Sequence, residues 1–247
     1  VQRGPRQSVG ASGFIVLGKP CSLVGLPPRW SNAVMHTPRR RFLAAGALAA
    51  SMLALPALAS SRRILVPMTD GPFYPARAWR ERWSDWDADL TRVERNGQML
   101  VARGEHLGLE AVVADTKGRL IDSAEVEIWQ CDAMAVYRHP RQPTEPGRFD
   151  EGFQGFGATR SNGQGALRLR TIKPVPYPGR TPHIHVKLRH ASFGELTSQL
   201  FIAGDAGNGR DFLWRQVDAA DRPALEMALQ PAPADSGLRW LARHALD

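Results

Sequence analysis

The chain has 247 residues, 43% apolar and 23% charged, with a formal charge of +8 and a pI near 10.3. That composition is ordinary for a globular protein and long enough for one good-sized domain. The charge looks like that of a nucleic-acid binder, but its distribution excludes that class. Residues 1–59 hold seven basic and no acidic side chains, which leaves 25 basic against 24 acidic in the remainder. The basicity belongs to the leader, and no polyanion partner is expected.

Residues 35–59 read as a secretory signal peptide: a basic cluster, a modest Ala-rich apolar stretch broken by Pro56, and a small-x-small end at Ala57-Leu58-Ala59 before Ser60. Arg39-Arg40-Arg41-Phe42-Leu43 resembles a twin-arginine export signal, although Pro38 and Ala44 stand where Ser and Lys are usual. Residues 1–34 precede the first methionine, Met35, show no periodic pattern and are expected to be a misassigned start. The expected location is periplasmic or secreted, with no membrane association once the signal is cleaved. Of the two cysteines, Cys21 and Cys131, only Cys131 falls in the expected mature chain. It reads as a small buried apolar residue, and no internal disulfide is expected.

Residues 60–100 form an expected N-terminal arm. It holds the turn-rich "DGPFYP", and then Trp79, Trp83 and Trp86 at helical spacing, an aromatic stripe suited to packing on a core or to a homo-oligomer contact. Strand signals dominate from 107 to 203. The segments 107–115, 123–130, 165–171, 183–189 and 196–204 read as strands separated by turn residues such as Asn162-Gly163. Residues 101–247 are therefore expected to be an all-β domain, a two-sheet β-sandwich with a short helical extension at about 222–229.

In "HIHVKLR" the side chains alternate, so His183 and His185 share one face while Ile184, Val186 and Leu188 share the other. By itself this pair reads either as two metal ligands or as two hydrogen-bonded histidines on a sheet. Tyr177 shifts the balance, because Pro178-Gly179 is a turn signal that folds it toward the following strand. A phenol with a pKa near 10 is a poor ligand for zinc, whereas a hard trivalent ion can displace its proton. Two imidazoles and a phenolate thus suggest Fe(III). A second tyrosine on an upstream strand-end loop is supplied by Tyr137, and the third tyrosine, Tyr74, lies in the arm.

The stretches "DGPFYP", "VEIWQCDAMAVY", "GFGATRSNGQG", "TIKPVPYPGRTPHIHVKL" and "TSQLFIAGD" fall in order over residues 70–205. Together they resemble the intradiol ring-cleavage dioxygenases, the family of protocatechuate 3,4-dioxygenase and catechol 1,2-dioxygenase. The resemblance implies a non-haem Fe(III) held by Tyr137, Tyr177, His183 and His185. It implies that Arg180 stabilises negative charge developing on the substrate and that Tyr177, released from the metal, takes up a substrate proton. Gln199 and Tyr74 match residues at the substrate pocket. The implied reaction cleaves a catechol-type ring between its two hydroxyls with both atoms of O2, giving a muconate-type diacid. Two departures stand out. Ala135 occupies a position where the family often has glycine, and the segment from Tyr177 to His183 is short, which leaves the substrate open and suggests a wider mouth. The competing readings are a non-enzymatic, transthyretin-like extracytoplasmic binding module, and a zinc hydrolase built on the two histidines. The latter lacks a third histidine or a placed carboxylate.

Overall fold

A computed structural model describes residues 64–81, 85–142 and 145–247. The export signal, the proposed start at Met35, Cys21 and Trp83 lie outside the described residues. No helix among the described residues is long and apolar enough to cross a membrane. Among the described residues the one α-helix, α1 (Arg77–Arg80), is a single turn in the arm, and strands make up the rest of the regular structure apart from short 3-10 turns.

The strands form three sheets. β1 (Arg92–Arg95) and β2 (Gln98–Val101) make a hairpin. Its Asn96-Gly97 loop has both φ values positive, 52° and 75°, the geometry whose twist matches that of paired strands. A four-stranded sheet has the order β10-β11-β3-β6, where β3 is His106–Val113, β6 is Ala166–Ile172, β10 is Leu229–Pro231 and β11 is Trp240–Leu246. A five-stranded sheet has the order β5-β4-β7-β8-β9, where β4 is Glu125–Trp129, β5 is Phe156–Arg160, β7 is His183–His190, β8 is Gly194–Ile202 and β9 is Glu226–Met227. The five strands read from the sequence correspond to β3, β4, β6, β7 and β8, within two residues at each end.

The two larger sheets feed one hydrophobic cluster. β3 gives Leu107, Leu109, Ala111 and Val113, and β6 gives Leu167 and Leu169. β4 gives Val126 and Ile128, and β7 gives Ile184, Val186 and Leu188. The opposite face of the five-stranded sheet is also covered. There Trp129, Cys131, Tyr137 and Phe156 form a second cluster, closed by Phe73, Tyr74 and Trp86 of the arm. The arm therefore packs over the face that carries His183 and His185. This burial agrees with the aromatic-stripe reading for Trp86.

The expected helix at 222–229 is a correction. Only a 3-10 turn, Arg222–Ala224, precedes β9 and β10. Pairing of β9 with β8, Phe201↔Glu226 and Ile202↔Met227, and burial of Leu225 and Met227 draw the segment into the sheet instead. Beyond it, β11 is not an appendage. It lies between β10 and β3, parallel to β3 from Trp240↔Leu107 to Leu246↔Val113. The local sequence, rich in Ala, Leu and Arg, has helical propensity, but pairing with the unsatisfied edge of β3 and burial of Ala242 and Leu246 outweigh it. Leu246→Ala is therefore expected to cost about 2–5 kcal/mol, as a buried Leu deletion does. Chemical denaturation of the variant against the native chain measures it, and a loss below about 0.5 kcal/mol would show that the terminal strand is peripheral.

Candidate functional site

The geometry begins with a four-residue turn. Tyr177 and Arg180 are bridged through their backbones: the Arg180 N–H donates to the Tyr177 carbonyl at 2.8 Å, and the Tyr177 N–H donates to the Arg180 carbonyl at 3.3 Å. Pro178 supplies the fixed φ of the first corner and Gly179, at φ 83°, the left-handed second corner. The turn places the Tyr177 and Arg180 side chains next to each other and points the chain into β7. Three residues later, His183 begins that strand.

Tyr137 reaches the same place from a different element. After β4 the chain bends at Asp132, whose carboxylate Oδ1 accepts the Met134 and Val136 amides at 2.8 and 2.9 Å, and whose Oδ2 accepts the Asp150 amide at 2.6 Å. Ala135 takes up a left-handed φ of 63° within this bend. Glycine suits that position, and the alanine methyl there costs about 1–2 kcal/mol. The bend delivers Tyr137 to a buried position, its ring stacked on Phe73 of the arm at 4.7 Å.

The four expected ligands do converge. The Tyr137 and Tyr177 hydroxyl oxygens each lie 3.5 Å from His183 Nε2. The imidazole rings of His183 and His185 are 4.9 Å apart. His183 Nδ1 lies 2.7 Å from the Thr181 carbonyl, which fixes that nitrogen as the donor and leaves the Nε2 lone pair facing both phenols. His185 is held by stacking on Trp129, with ring centroids 4.7 Å apart, and its buried Nδ1 has no hydrogen-bond partner. Burial first, and then the Arg180 charge, push the His183 imidazolium down to about 4. Burial, then the charges of His183 and Arg180, take His185 well below the usual range. Both imidazoles are thus neutral, with lone pairs available. Burial raises both phenols, that of Tyr137 furthest, so neither gives up its proton unless a strong positive charge is placed beside it.

Two neutral imidazoles and two phenols, one of the nitrogens orphaned, fit a single hard cation far better than they fit one another. Among the described residues no cluster of three His, Cys, Asp or Glu side chains offers an alternative metal site. Cys131 is buried near the centre, but burial and then the Asp132 charge push its thiol up to about 12. It is inert packing, as read from the sequence.

Arg180 is held as a fork. Its Nε donates to Asp211 Oδ2 at 2.8 Å, one terminal nitrogen donates to Gln199 Oε1, and the other lies 3.5 Å from the Tyr177 hydroxyl. Gln199 is fully buried on β8, opposite His185 in register, and its amide nitrogen donates to the Thr69 carbonyl of the arm at 3.3 Å. Both ends of the Gln199 amide are thus engaged by protein. Tyr74 stands apart from the quartet. Its hydroxyl donates to Glu127 at 2.7 Å and accepts from Arg189 at 2.9 Å, and its ring meets the edge of Trp129, which separates it from His185. A cavity of about 850 Å³ opens beside Tyr177 and Arg180.

Sequence reasoning missed Asp211. Its carboxylate also accepts the Thr181 amide at 3.0 Å and the Leu213 and Trp214 amides at 2.9 and 3.1 Å. It therefore ties the turn that precedes β7 to the 3-10 turn Trp214–Gln216. Nothing in the sequence links it to Arg180, 31 positions away. The "DFLW" context shows only that an Asp can cap the turn that follows.

Fold and site together define an all-β protein with a mixed imidazole–phenol centre able to hold a metal ion. Residues 70–230 match the Dioxygenase_C family, described as "Dioxygenase". The chain belongs to this family, that of the intradiol dioxygenases. It is 32% identical over 148 residues to the protocatechuate 3,4-dioxygenase beta chain of Burkholderia cepacia, covering 56% of this chain and 61% of that one. It is 26% identical over 136 residues to hydroxyquinol 1,2-dioxygenase of Corynebacterium glutamicum, covering 47% and 43%. The chain thus spans less than two thirds of the length of these relatives. The intradiol ring-cleavage dioxygenase from Tetranychus urticae shares the fold, with a TM-score of 0.54 at 21% identity over 74% of this chain and 93% of that one. So does the dioxygenase domain of a dioxygenase carbohydrate-binding protein fusion from Streptomyces sp. SirexAA-E, at 0.53 and 24% over 74% and 96%.

The buried pair makes a stability prediction. Burial alone would raise the Asp211 carboxyl, but hydrogen bonds from Arg180 and from the Trp214 and Thr181 amides outweigh it and hold the carboxyl below its ordinary value. Its folded-state pKa is depressed, so its contribution is complete above the unfolded value of about 3.9 and is lost as pH falls through the folded one. Asp211→Ala, which leaves Arg180 buried and unpaired, is expected to cost about 3–5 kcal/mol near neutral pH. Denaturation at pH 7 and at pH 3 checks both the size and the direction, and a loss that grows on acidification would contradict the assignment.

Proposed function

We propose that this chain is a non-haem Fe(III) dioxygenase, its two larger sheets packed as a β-sandwich, that cleaves a catechol-type ring between its two hydroxyls. Both atoms of O2 enter the product, a muconate-type diacid. The observation that carries this reading is the convergence of the Tyr137 and Tyr177 hydroxyls on His183 Nε2, with the Arg180 guanidinium beside Tyr177.

Tyr137, Tyr177, His183 and His185 would hold the ion. Imidazole nitrogens suit iron, and phenolate oxygens favour its trivalent state. When bound, the ferric ion supplies Lewis-acid activation of the catechol toward O2. The chain's own residues do the rest. Tyr137 is buried under Phe73 and stays in place. Tyr177 is only half-buried and lines the cavity, so its Oη is the atom placed to take up a proton released by a substrate hydroxyl. Arg180, fixed by Asp211 and Gln199, brings a permanent positive charge to the point where substrate oxygens become anionic, and it needs no reorganisation to do so. The arm, through Phe73 and Thr69, keeps water from the inner side of the centre. A purely binding module offers no reason to gather four such donors at one place. The export signal at residues 35–59 belongs to the same proposal, in which the mature chain is periplasmic or secreted and begins at Ser60.

Iron-loaded protein is expected to be burgundy, from tyrosinate-to-iron charge transfer, and to consume O2 with catechols. Tyr137→Phe should lose both bound iron, measured by elemental analysis, and colour. Arg180→Ala should keep iron and colour while turnover falls about a hundredfold or more, the scale for removing one preorganised charge stabiliser. Full iron occupancy without colour would refute the phenolate ligands.

A further inference from the structure

We propose that the site takes a catechol carrying a second ring or a comparable uncharged apolar body, rather than a bare or carboxylated catechol. This rests on the ring-cleaving reading and deepens it. The cavity of about 850 Å³ is lined by Tyr177 and Arg180 of the proposed centre and also by Pro174, Pro176, Ala133 and Ala206. A pocket of that size suits a drug-sized ligand, and a single six-membered ring would leave most of it to water. These four lining side chains are small or rigid. Ala133 and Ala206 leave space that larger residues would fill, and Pro174 and Pro176 have no backbone N–H to satisfy and present fixed apolar rings.

Charge decides between substituents. Three cations line the cavity, Lys173, Arg180 and Arg210, against three carboxylates, Glu105, Asp205 and Asp211. Arg180 is committed to Asp211 at 2.8 Å, and Lys173 lies 3.4 Å from Glu105. Asp205 accepts the Gly207 amide at 2.7 Å and the Thr181 hydroxyl at 3.3 Å. The lining is therefore close to neutral by count, and Arg210, whose guanidinium makes no ion pair with the other described residues, is solvent-exposed and screened, whereas an apolar body there gains from leaving water. Burial of a phenyl-sized group is worth about ten- to a hundredfold in affinity.

The test compares catechol, 4-phenylcatechol and protocatechuate on the iron-loaded protein, by oxygen uptake and by calorimetric binding. Ala206 lines the cavity and is exposed, so Ala206→Trp can narrow the cavity without disturbing the core, with Ala206→Leu as a milder block. The expected result is an advantage for 4-phenylcatechol over catechol of about tenfold or more in kcat/KM and in affinity, cut about tenfold by Ala206→Trp. Cleavage of catechol with no binding of 4-phenylcatechol would overturn the inference. So would an advantage that both variants leave unchanged, or a preference for protocatechuate. If none of the three consumes O2 but 4-phenylcatechol binds with an advantage that Ala206→Trp removes, the cavity assignment stands and the ring-cleaving reading falls.

Discussion

The two-residue period of β7 is the constraint on which the rest depends. Ile184, Val186 and Leu188 are committed to the shared core, so His183, His185 and Lys187 must stand on the opposite face. A one-residue slip of register would bury the histidines among aliphatic side chains and turn the aliphatics toward Tyr137 and Tyr177. Pairing with β4 and β8 on either side fixes the register: Trp129 and Gln199 lie opposite His185, and Phe201 lies opposite His183. The stacking surface for His185 and the anchor for Arg180 are thus set by the same ladder that fixes the histidines.

A face with this much polarity is costly to cover, and the arm covers it with charge as well as with rings. Glu127 is buried on β4 and meets Arg80 of the arm at 2.6 Å, Arg189 at 2.9 Å and the Tyr74 hydroxyl at 2.7 Å. Lys187, also buried, meets Asp70 of the arm at 2.9 Å and Glu195 at 3.1 Å, with its ammonium 4.1 Å from the Tyr74 ring centre. Each buried charge has opposite charges beside it and hydrogen bonds to them, the condition under which such groups are tolerated. Tyr74 belongs to this docking network. The network holds Phe73 and Thr69 where Tyr137 and Gln199 need them, so the arm contributes to the centre by packing rather than by ligation.

The two tyrosines differ in a way that fits their proposed roles. Tyr137 is fully buried, stacked on Phe73 and held by a bend that Asp132 braces, whereas Tyr177 sits on a two-corner turn at the edge of a cavity. A residue packed on all sides has no room to swing, and one on a turn facing open space does. Arg180 shares that turn but is pinned by Asp211, so one end of the turn can move while the other keeps its charge fixed.

The sequence by itself determined the all-β character, the five principal strands, the common face of His183 and His185, the turn at Pro178-Gly179 and the inward role of Cys131. Each of these follows from alternation, turn chemistry or composition over a few neighbouring residues. The expectation that Tyr137, Tyr177, His183 and His185 act together came only from short motifs taken together and in order. What the tertiary structure alone decided was long-range. It showed β11 as an interior strand parallel to β3, the partnership of Arg180 with Asp211, the capture of Tyr74 by Glu127 and Arg189, and the size and near-neutral lining of the cavity. Such features depend on which surfaces meet once the chain has closed on itself. Local propensity carries no record of a partner thirty or a hundred residues away, and burial and hydrogen-bond satisfaction make that choice only in the folded state.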